Sequence, residues 1–225
     1  MLRIGWFSTG NGKAARDLLK VALNIPEVKI EFVFCNRKYG ESKETDLFLD
    51  LVRSRKLPII SWSSRGFKAE QREQYDRIAT NFWAPVYGVD LCMLAGYMII
   101  CSPWMCKNFN IINLHPAKPG GPKGTWQEVI RQLIKNKERE SGVMIHLVTP
   151  ELDSGPVITY CKYRIKKYDF GKIRQQGLKR EFHLITETLR FLAEGKIKIE
   201  VLPTGGHDLT KIINRKINPI IKLLS

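Results

Sequence analysis

Short apolar runs alternate with stretches whose apolar positions recur every three or four residues, beginning at the first residues of the 225-residue chain. Leu2–Ser8 ("LRIGWFS") reads as a buried strand. Gly10, Asn11 and Gly12 follow, and then the helical pattern "KAARDLLKVALN". "KIEFVFC" is a second strand, after which Ser42 offers an N-cap. Its helix carries Glu44 and Asp46 early and Leu47, Phe48, Leu51 and Val52 on one face. "LPIISW" reads as a third strand, "AEQREQYDRIATNFW" as a helix, and "VDLCMLAG" and "INLH" as two further buried strands. Strand and helix alternating in this way predict an α/β, Rossmann-like fold: an open, mostly parallel twisted sheet with helices on both faces.

The second half changes character. A helix through "GTWQEVIRQLIKNK" leads to the strands "GVMIHLVT" and "PVITYCKYRI", joined by the turn-rich "PELDSG". Leu178, Phe182, Ile185, Leu189 and Leu192 recur at helical spacing and mark a long amphipathic helix. A short strand "IKIEV" and a polar tail ending in "NPIIKLLS" complete the reading. The expected organisation is one domain over residues 1–202, with a basic C-terminal extension over 203–225.

Charge adds a preference for anions. Lys and Arg number 37 against 22 Asp and Glu, a formal net charge of +15. Such a balance favours capture of anionic partners and says nothing about fold. The basic residues are scattered, and no aromatic-flanked basic motif of the RNA-binding kind is present. A solvated basic surface and a small anionic substrate are therefore the readings, with nucleic acid not expected. Cys35, Cys92, Cys101, Cys106 and Cys161 form no CxxC pair and lie mostly in apolar runs. No apolar run approaches the ~20 residues that span a bilayer. A reducing cytoplasm, no membrane and no metal are expected.

Three segments carry candidate chemistry. The "STGNGKA" turn joins a strand to a helix through two glycines, as either a plain tight turn or an anion cradle with Lys13 beside it. "NLHP" ends a buried strand on Asn113 and His115, followed by Pro116 and the rigid, basic loop "AKPGGPKGTW". An amide and an imidazole there can hold an oxyanion, or can simply be satisfied by backbone. "ELDSGPVI" supplies Asp153, which beside His115 would raise its pKa and relay protons. His146 lies within an apolar strand, where a structural role is commoner. No nucleophile elbow and no metal-ligand spacing compete.

Taken in order, "GNGKA", "LAGYMIICSP", "INLHP" and "GVMIHLVTPELDSGPVI" resemble the folate-dependent formyltransferases over about residues 1–202. Within that family the resemblance is nearest to the branch that formylates glycinamide ribonucleotide in purine biosynthesis. It implies a formyltransferase fold and 10-formyltetrahydrofolate as co-substrate. Asn113, His115 and Asp153 match the family's catalytic set, and His146 a His in the same site. Gly10, Asn11 and Gly12, with Lys13 alongside, match a substrate-phosphate loop. Glu181 matches a ribose-hydroxyl ligand and Arg72 an Arg near the ligands, while Pro116 borders the substrate. Met98, Ile99, Ile100 and Cys101, with Val148, Thr149, Glu151 and Leu152, match segments that cradle the pterin. The implied chemistry has Asn113 and protonated His115 holding the oxyanion while Asp153 orients His115.

The chain departs from the family at Lys13, at Val143 and Met144, at Ile99, and most of all in the loop Ala117–Trp126. Lys118 and Lys123 of that loop reach an anionic ligand or are solvated. Other readings stay open: formylation of another amine such as an amino sugar nucleotide, hydrolysis of formyl-folate, or a non-catalytic anion- or folate-binding module. Formylation of initiator tRNA is disfavoured, because the chain ends before the RNA-binding domain such enzymes carry. A homodimer is left open.

Overall fold

A computed structural model describes residues 1–217; the "NPIIKLLS" segment lies outside the described residues. Two compact units divide the chain, Met1–Asn113 with Val148–Glu151, and Leu114–Leu147 with residues 152 onward.

The first unit begins with β1 (Leu2–Ser8), α1 (Lys13–Ala22), β2 (Val28–Cys35), α2 (Lys43–Ser54) and β3 (Ile59–Ser61). A 3₁₀ turn at Ala69–Gln71 then leads into α3 (Arg72–Asn81), followed by β4 (Leu91–Leu94), α4 (Pro103–Asn108) and β5 (Ile111–His115), whose last two residues belong to the second unit. Its strands lie in the order β3-β2-β1-β4-β5 and pair in parallel. Because β1 is central, it is buried from Ile4 to Ser8 without alternation, as a parallel strand covered on both faces must be. Phe7 packs edge-on to Phe32, Trp83 and Tyr97, and Phe32 stacks on Trp83 with ring centroids 5.3 Å apart. These aromatics dominate the unit's core. Ser42 caps α2 as its sequence implied, accepting from Thr45 N at 3.1 Å. Helix α4, capped by Ser102 with Pro103 at its first position, has a start signal that the apolar pattern alone did not reveal.

The second unit contains α5 (Trp126–Lys135), β6 (Glu140–Leu147), β7 (Val157–Arg164), α6 (Phe170–Ala193), β8 (His207–Asp208) and α7 (Thr210–Ile217). β6 and β7 are antiparallel, whereas β8 joins β7 in parallel. Helix α6 buries Ile173, Leu184, Ile185 and Leu189, and its Thr188 hydroxyl meets that of Thr159 at 2.6 Å inside the core. "IKIEV" is not a strand. Its Ile197 N–H turns back to the Phe191 carbonyl to close the end of α6 and its Val201 N–H to the Lys198 carbonyl, so neither is offered to a sheet. Val201 is left 76% exposed, and the edge strand is β8, within the segment read as a polar tail. Among the described residues, no helix is long and apolar enough to cross a membrane.

Candidate active site

Asp153 is the centre of a buried cluster of titratable side chains in the second unit. Its carboxylate lies between two imidazoles, Oδ2 at 3.4 Å from Nδ1 of His115 and Oδ1 at 3.6 Å from Nε2 of His146. All three side chains are nearly inaccessible. Each is delivered by a local irregularity. His115 closes β5, and His146 sits where the β6–β7 register shifts. A bulge of that kind re-aims a side chain next to a functional site. Asp153 occupies the turn between those strands with φ +49, a left-handed conformation that Asp tolerates better than most residues.

The loop after β5 completes the arrangement. The Gly124 N–H donates to Asp153 Oδ2 at 3.0 Å, and Lys123 Nζ donates to Ser154 Oγ at 2.5 Å. Nε2 of His115 lies 2.9 Å from the Pro122 carbonyl oxygen, which can only accept, so this nitrogen carries a proton. Ala117 is fully buried in the α5 core, and Thr125 with Glu128 forms a capping box at the start of α5. The loop is fixed at both ends and holds two members of the triad in place.

Burial pushes the His115 imidazole below its ordinary 6.5, outweighing the Asp153 charge and the Pro122 carbonyl, which act upward. This reverses the sign expected from Asp153 alone, and the ring is neutral near pH 7 instead of protonated. Burial also works against ionisation of Asp153. Its bond with His146, the His115 ring and the Gly124 N–H prevail and keep the carboxyl below its usual range. A single N–H on Nε2, with an ionised and largely buried carboxylate on the Nδ1 side of the ring, suits a reaction that develops negative charge and moves one proton.

In the first unit, the chain leaves β1 and β4 at the point where the strand order reverses, the usual ligand crevice of an open parallel sheet. Thr9 ties the two exits together. Its N–H donates to the Gly96 carbonyl at 3.0 Å, and its Oγ1 accepts from Met98 N at 2.8 Å. The same Oγ1 donates to the buried Asn36 at 2.7 Å. Gly12 at φ +88 opens α1, and no side-chain cap satisfies the helix's first amides. Asn113 lies two residues before His115 on β5, so both side chains leave the same face of that strand.

The formyl transferase family profile matches residues 2–189. The chain belongs to the formyl transferase family. A phosphoribosylglycinamide formyltransferase of Escherichia coli is 30% identical over 161 residues, 70% of this chain and 74% of that protein. The solved phosphoribosylglycinamide formyltransferase of Coxiella burnetii superposes with a TM-score of 0.76 at 20% identity, covering 92% of this chain and 98% of that one. A formyltetrahydrofolate deformylase from Burkholderia mallei superposes at 0.70 with 19% identity, covering 89% and 68%. At such identities the two structures establish the fold, and it is the mostly parallel formyltransferase fold that the sequence implied.

Within this formyltransferase the expected residues fall into groups. His115, His146 and Asp153 converge. Gly10, Asn11, Gly12 and Lys13 form the turn into α1, where Lys13 pairs with Asp17. Met98 and Ile100 are exposed apolar side chains, and so, in the second unit, is Leu152. Ile99 and Val148 rest on the aromatic core, Thr149 donates to the Glu151 carbonyl at 3.1 Å, and Pro116 is half-buried after β5. Cys101 is buried, so only its backbone can line a ligand pocket. Arg72 opens α3 over the Tyr75 ring, its Nη1 buried without a hydrogen-bond partner among the described residues. Glu181 is buried in α6 and accepts from Arg174 at 2.6 Å. Pro122 and Gly124 are the contributors that sequence reading missed. Both act through the backbone, and only the abnormal density of Pro and Gly in the loop signalled them. Lys118 pairs with Glu140 at 3.3 Å, so both loop lysines are engaged within the fold. Among the described residues, no cluster of His, Cys, Asp or Glu could hold a metal ion.

Proposed function

We propose that this formyltransferase moves the formyl group of 10-formyltetrahydrofolate to the amine of glycinamide ribonucleotide. The observation that carries the reading is the Asp153 carboxylate held between His115 and His146, with a single N–H on the far side of the His115 ring. The activity named for its Escherichia coli relative supports the choice of amine.

In this reaction the amine nitrogen attacks the formyl carbon, and the carbonyl oxygen becomes an oxyanion. His115 Nε2–H turns from the Pro122 carbonyl to that oxygen, joined by the Asn113 amide from the same strand face. Each such donor is worth roughly 3–4 kcal/mol in the transition state. Asp153 accepts the proton that the attacking nitrogen sheds and returns it, through water, to the departing folate nitrogen. The bond between the formyl carbon and that nitrogen then breaks, giving an N-formyl amine and tetrahydrofolate. Neutral His115 suits this sequence, because the developing oxyanion raises the ring's proton affinity only as the intermediate forms.

Met98 and Ile100 offer apolar contact to the pterin, and the Gly10–Lys13 turn receives the substrate phosphate in this reading. Glu181, paired with Arg174, is the expected ribose ligand, and Arg72 and Pro116 border the substrate. The partners are a small anionic amine and folate in the cytoplasm, not nucleic acid. A homodimer fits the reading equally well. A turnover screen with 10-formyltetrahydrofolate and a panel of phosphorylated amines tests it. Glycinamide ribonucleotide should give the highest kcat/KM. A higher value for an amino sugar nucleotide, or tetrahydrofolate release independent of every amine, would overturn the assignment.

A further inference from the structure

The strip 98–101 of the first unit, read above as a contact for the pterin, is held at both ends by buried polar side chains. The Met98 N–H donates to Thr9 Oγ1 at 2.8 Å, and the N–H of Ser102, the next residue after the strip, donates to Asp76 Oδ2 at 2.7 Å. Between these two pins, the N–H groups of Ile99 and Ile100 have no partner among the described residues.

The first pin depends on a residue that does not touch the strip. A threonine hydroxyl has one hydrogen, and Thr9 gives it to Asn36 Oδ1 at 2.7 Å, so a lone pair is left for the Met98 N–H. Asn36 follows directly on β2 and is fully buried. Its Nδ2 donates to Ser64 Oγ at 3.0 Å, and the Ser64 N–H returns to the Asn36 carbonyl at 3.1 Å. Ser64, Asn36 and Thr9 therefore form one directional chain of hydrogen bonds that ends on the Met98 amide, and Asn36 fixes its sense.

The second pin joins α3 to the start of α4. Asp76 is 2% exposed, and Ser102, which it holds, caps α4 by accepting from the Met105 N–H at 3.2 Å. Burial raises the Asp76 carboxyl above its ordinary range, while the bonds from Ser102 and the charge of Arg72, one turn earlier on α3, act downward. Such a carboxyl costs stability unless it is well bonded, and its bond here goes to the exit of the strip.

We propose that Asn36 and Asp76 are positioning residues for folate, which preset the backbone of the strip 98–101 through Thr9 and through the Ser102 N–H. This rests on the reading of that strip as the pterin contact. A backbone fixed before the ligand arrives binds it more tightly, because less ordering is left to do on entry. The strip grips the donor alike before and during reaction, so loss of a pin raises KM for 10-formyltetrahydrofolate while kcat and KM for the amine hold.

Amide hydrogen exchange followed by NMR on the ¹⁵N-labelled full-length protein tests this without a variant. In the free protein the Met98 and Ser102 amides should exchange slowly and the Ile100 amide fast. Tetrahydrofolate should slow Ile100 and leave the other two as they are. Asn36→Leu should speed exchange at Met98, and Asp76→Leu at Ser102. Each should raise KM for 10-formyltetrahydrofolate about three- to tenfold, the scale of one lost hydrogen bond. Asp76→Asn keeps an acceptor oxygen and should restore KM. Met98 and Ser102 exchanging as fast as Ile100 in wild type would overturn the proposal, and this result stands even if a leucine variant fails to fold. A folded leucine variant with unchanged folate KM, or with kcat lowered instead, would overturn it too. Slow Met98 and Ser102 amides with no response of Ile100 to tetrahydrofolate would uphold the pins and remove the folate reading of the strip.

Discussion

The Pro122 carbonyl oxygen stands 2.9 Å from Nε2 of His115, in the position an oxyanion must take if that N–H is to stabilise it. In the proposed mechanism the loop holds this donor and yields it to the substrate. His115→Ala should lower kcat by about 10²–10³-fold, the loss typical of one oxyanion donor. Stability should fall by only about 1–3 kcal/mol, for the partners left unpaired. Circular dichroism should show the fold retained, and near-normal turnover would remove His115 from the mechanism.

Asp153→Asn isolates charge from shape. Asn also tolerates the φ of +49, and its side-chain oxygen can still accept from Gly124. What disappears is the carboxylate charge that the proposed mechanism uses as its base. Steady-state kinetics should show kcat reduced by at least about 10²-fold with KM for both substrates little changed. Unaltered kcat would mean that Asp153 only shapes the turn.

Gly124 tests the loop. Its φ is +102, and a Cβ there would lie 2.6 Å from Glu128 Oε2, an atom of the α5 capping box. Gly124→Ala should cost about 1–3 kcal/mol in backbone strain. It should also lower kcat, because the N–H that holds Asp153 moves with the backbone. A thermal melt and a kcat measurement on the same sample separate these effects. Lost stability with full activity would show that the loop's grip on Asp153 is dispensable.

Acid should destabilise the protein in two steps. Burial depresses His115 below 6.5, so the unfolded chain binds a proton across the window just beneath that value while the folded chain does not. Stability is then full above 6.5 and declines as pH falls to the folded-state value. His183, lowered first by burial and then by Lys216, contributes in the same direction. Asp153 is also depressed, so its contribution is complete above 3.8 and is lost only as pH falls through its lower folded-state value. Melting temperature followed downward from about pH 7 should drop first in the histidine window, and His115→Gln should shrink that first drop. Rising stability below 6.5 would contradict the burial argument.

Much of this arrangement was legible in the residues, because it follows from patterns with a short period. The continuous apolar run of β1, the capping serine of α2 and the periodic stripe of α6 each determine an element locally. "IKIEV" failed for a non-local reason, since its alternation suits a strand but the Ile197 N–H is used by the end of α6 and the Val201 N–H by the Lys198 carbonyl. The convergence of His115 and Asp153 could be anticipated from motif order, but the sign of the His115 shift could not. That sign depends on how completely the ring is buried, which no neighbouring residue type encodes. The loop's part was hidden for a related reason. Pro122 and Gly124 act through a carbonyl and an amide that every residue has, whereas the visible lysines turned out to be tied to Glu140 and Ser154.

Tracing the formyl carbon tests the central claim most directly. The protein is given 10-formyltetrahydrofolate labelled with ¹³C in the formyl group, together with glycinamide ribonucleotide, and the products are followed by NMR. The account predicts label in the new formamide of the ribonucleotide, in step with tetrahydrofolate and absent when the amine is omitted. Label recovered as formate, at a rate indifferent to the amine, would contradict it.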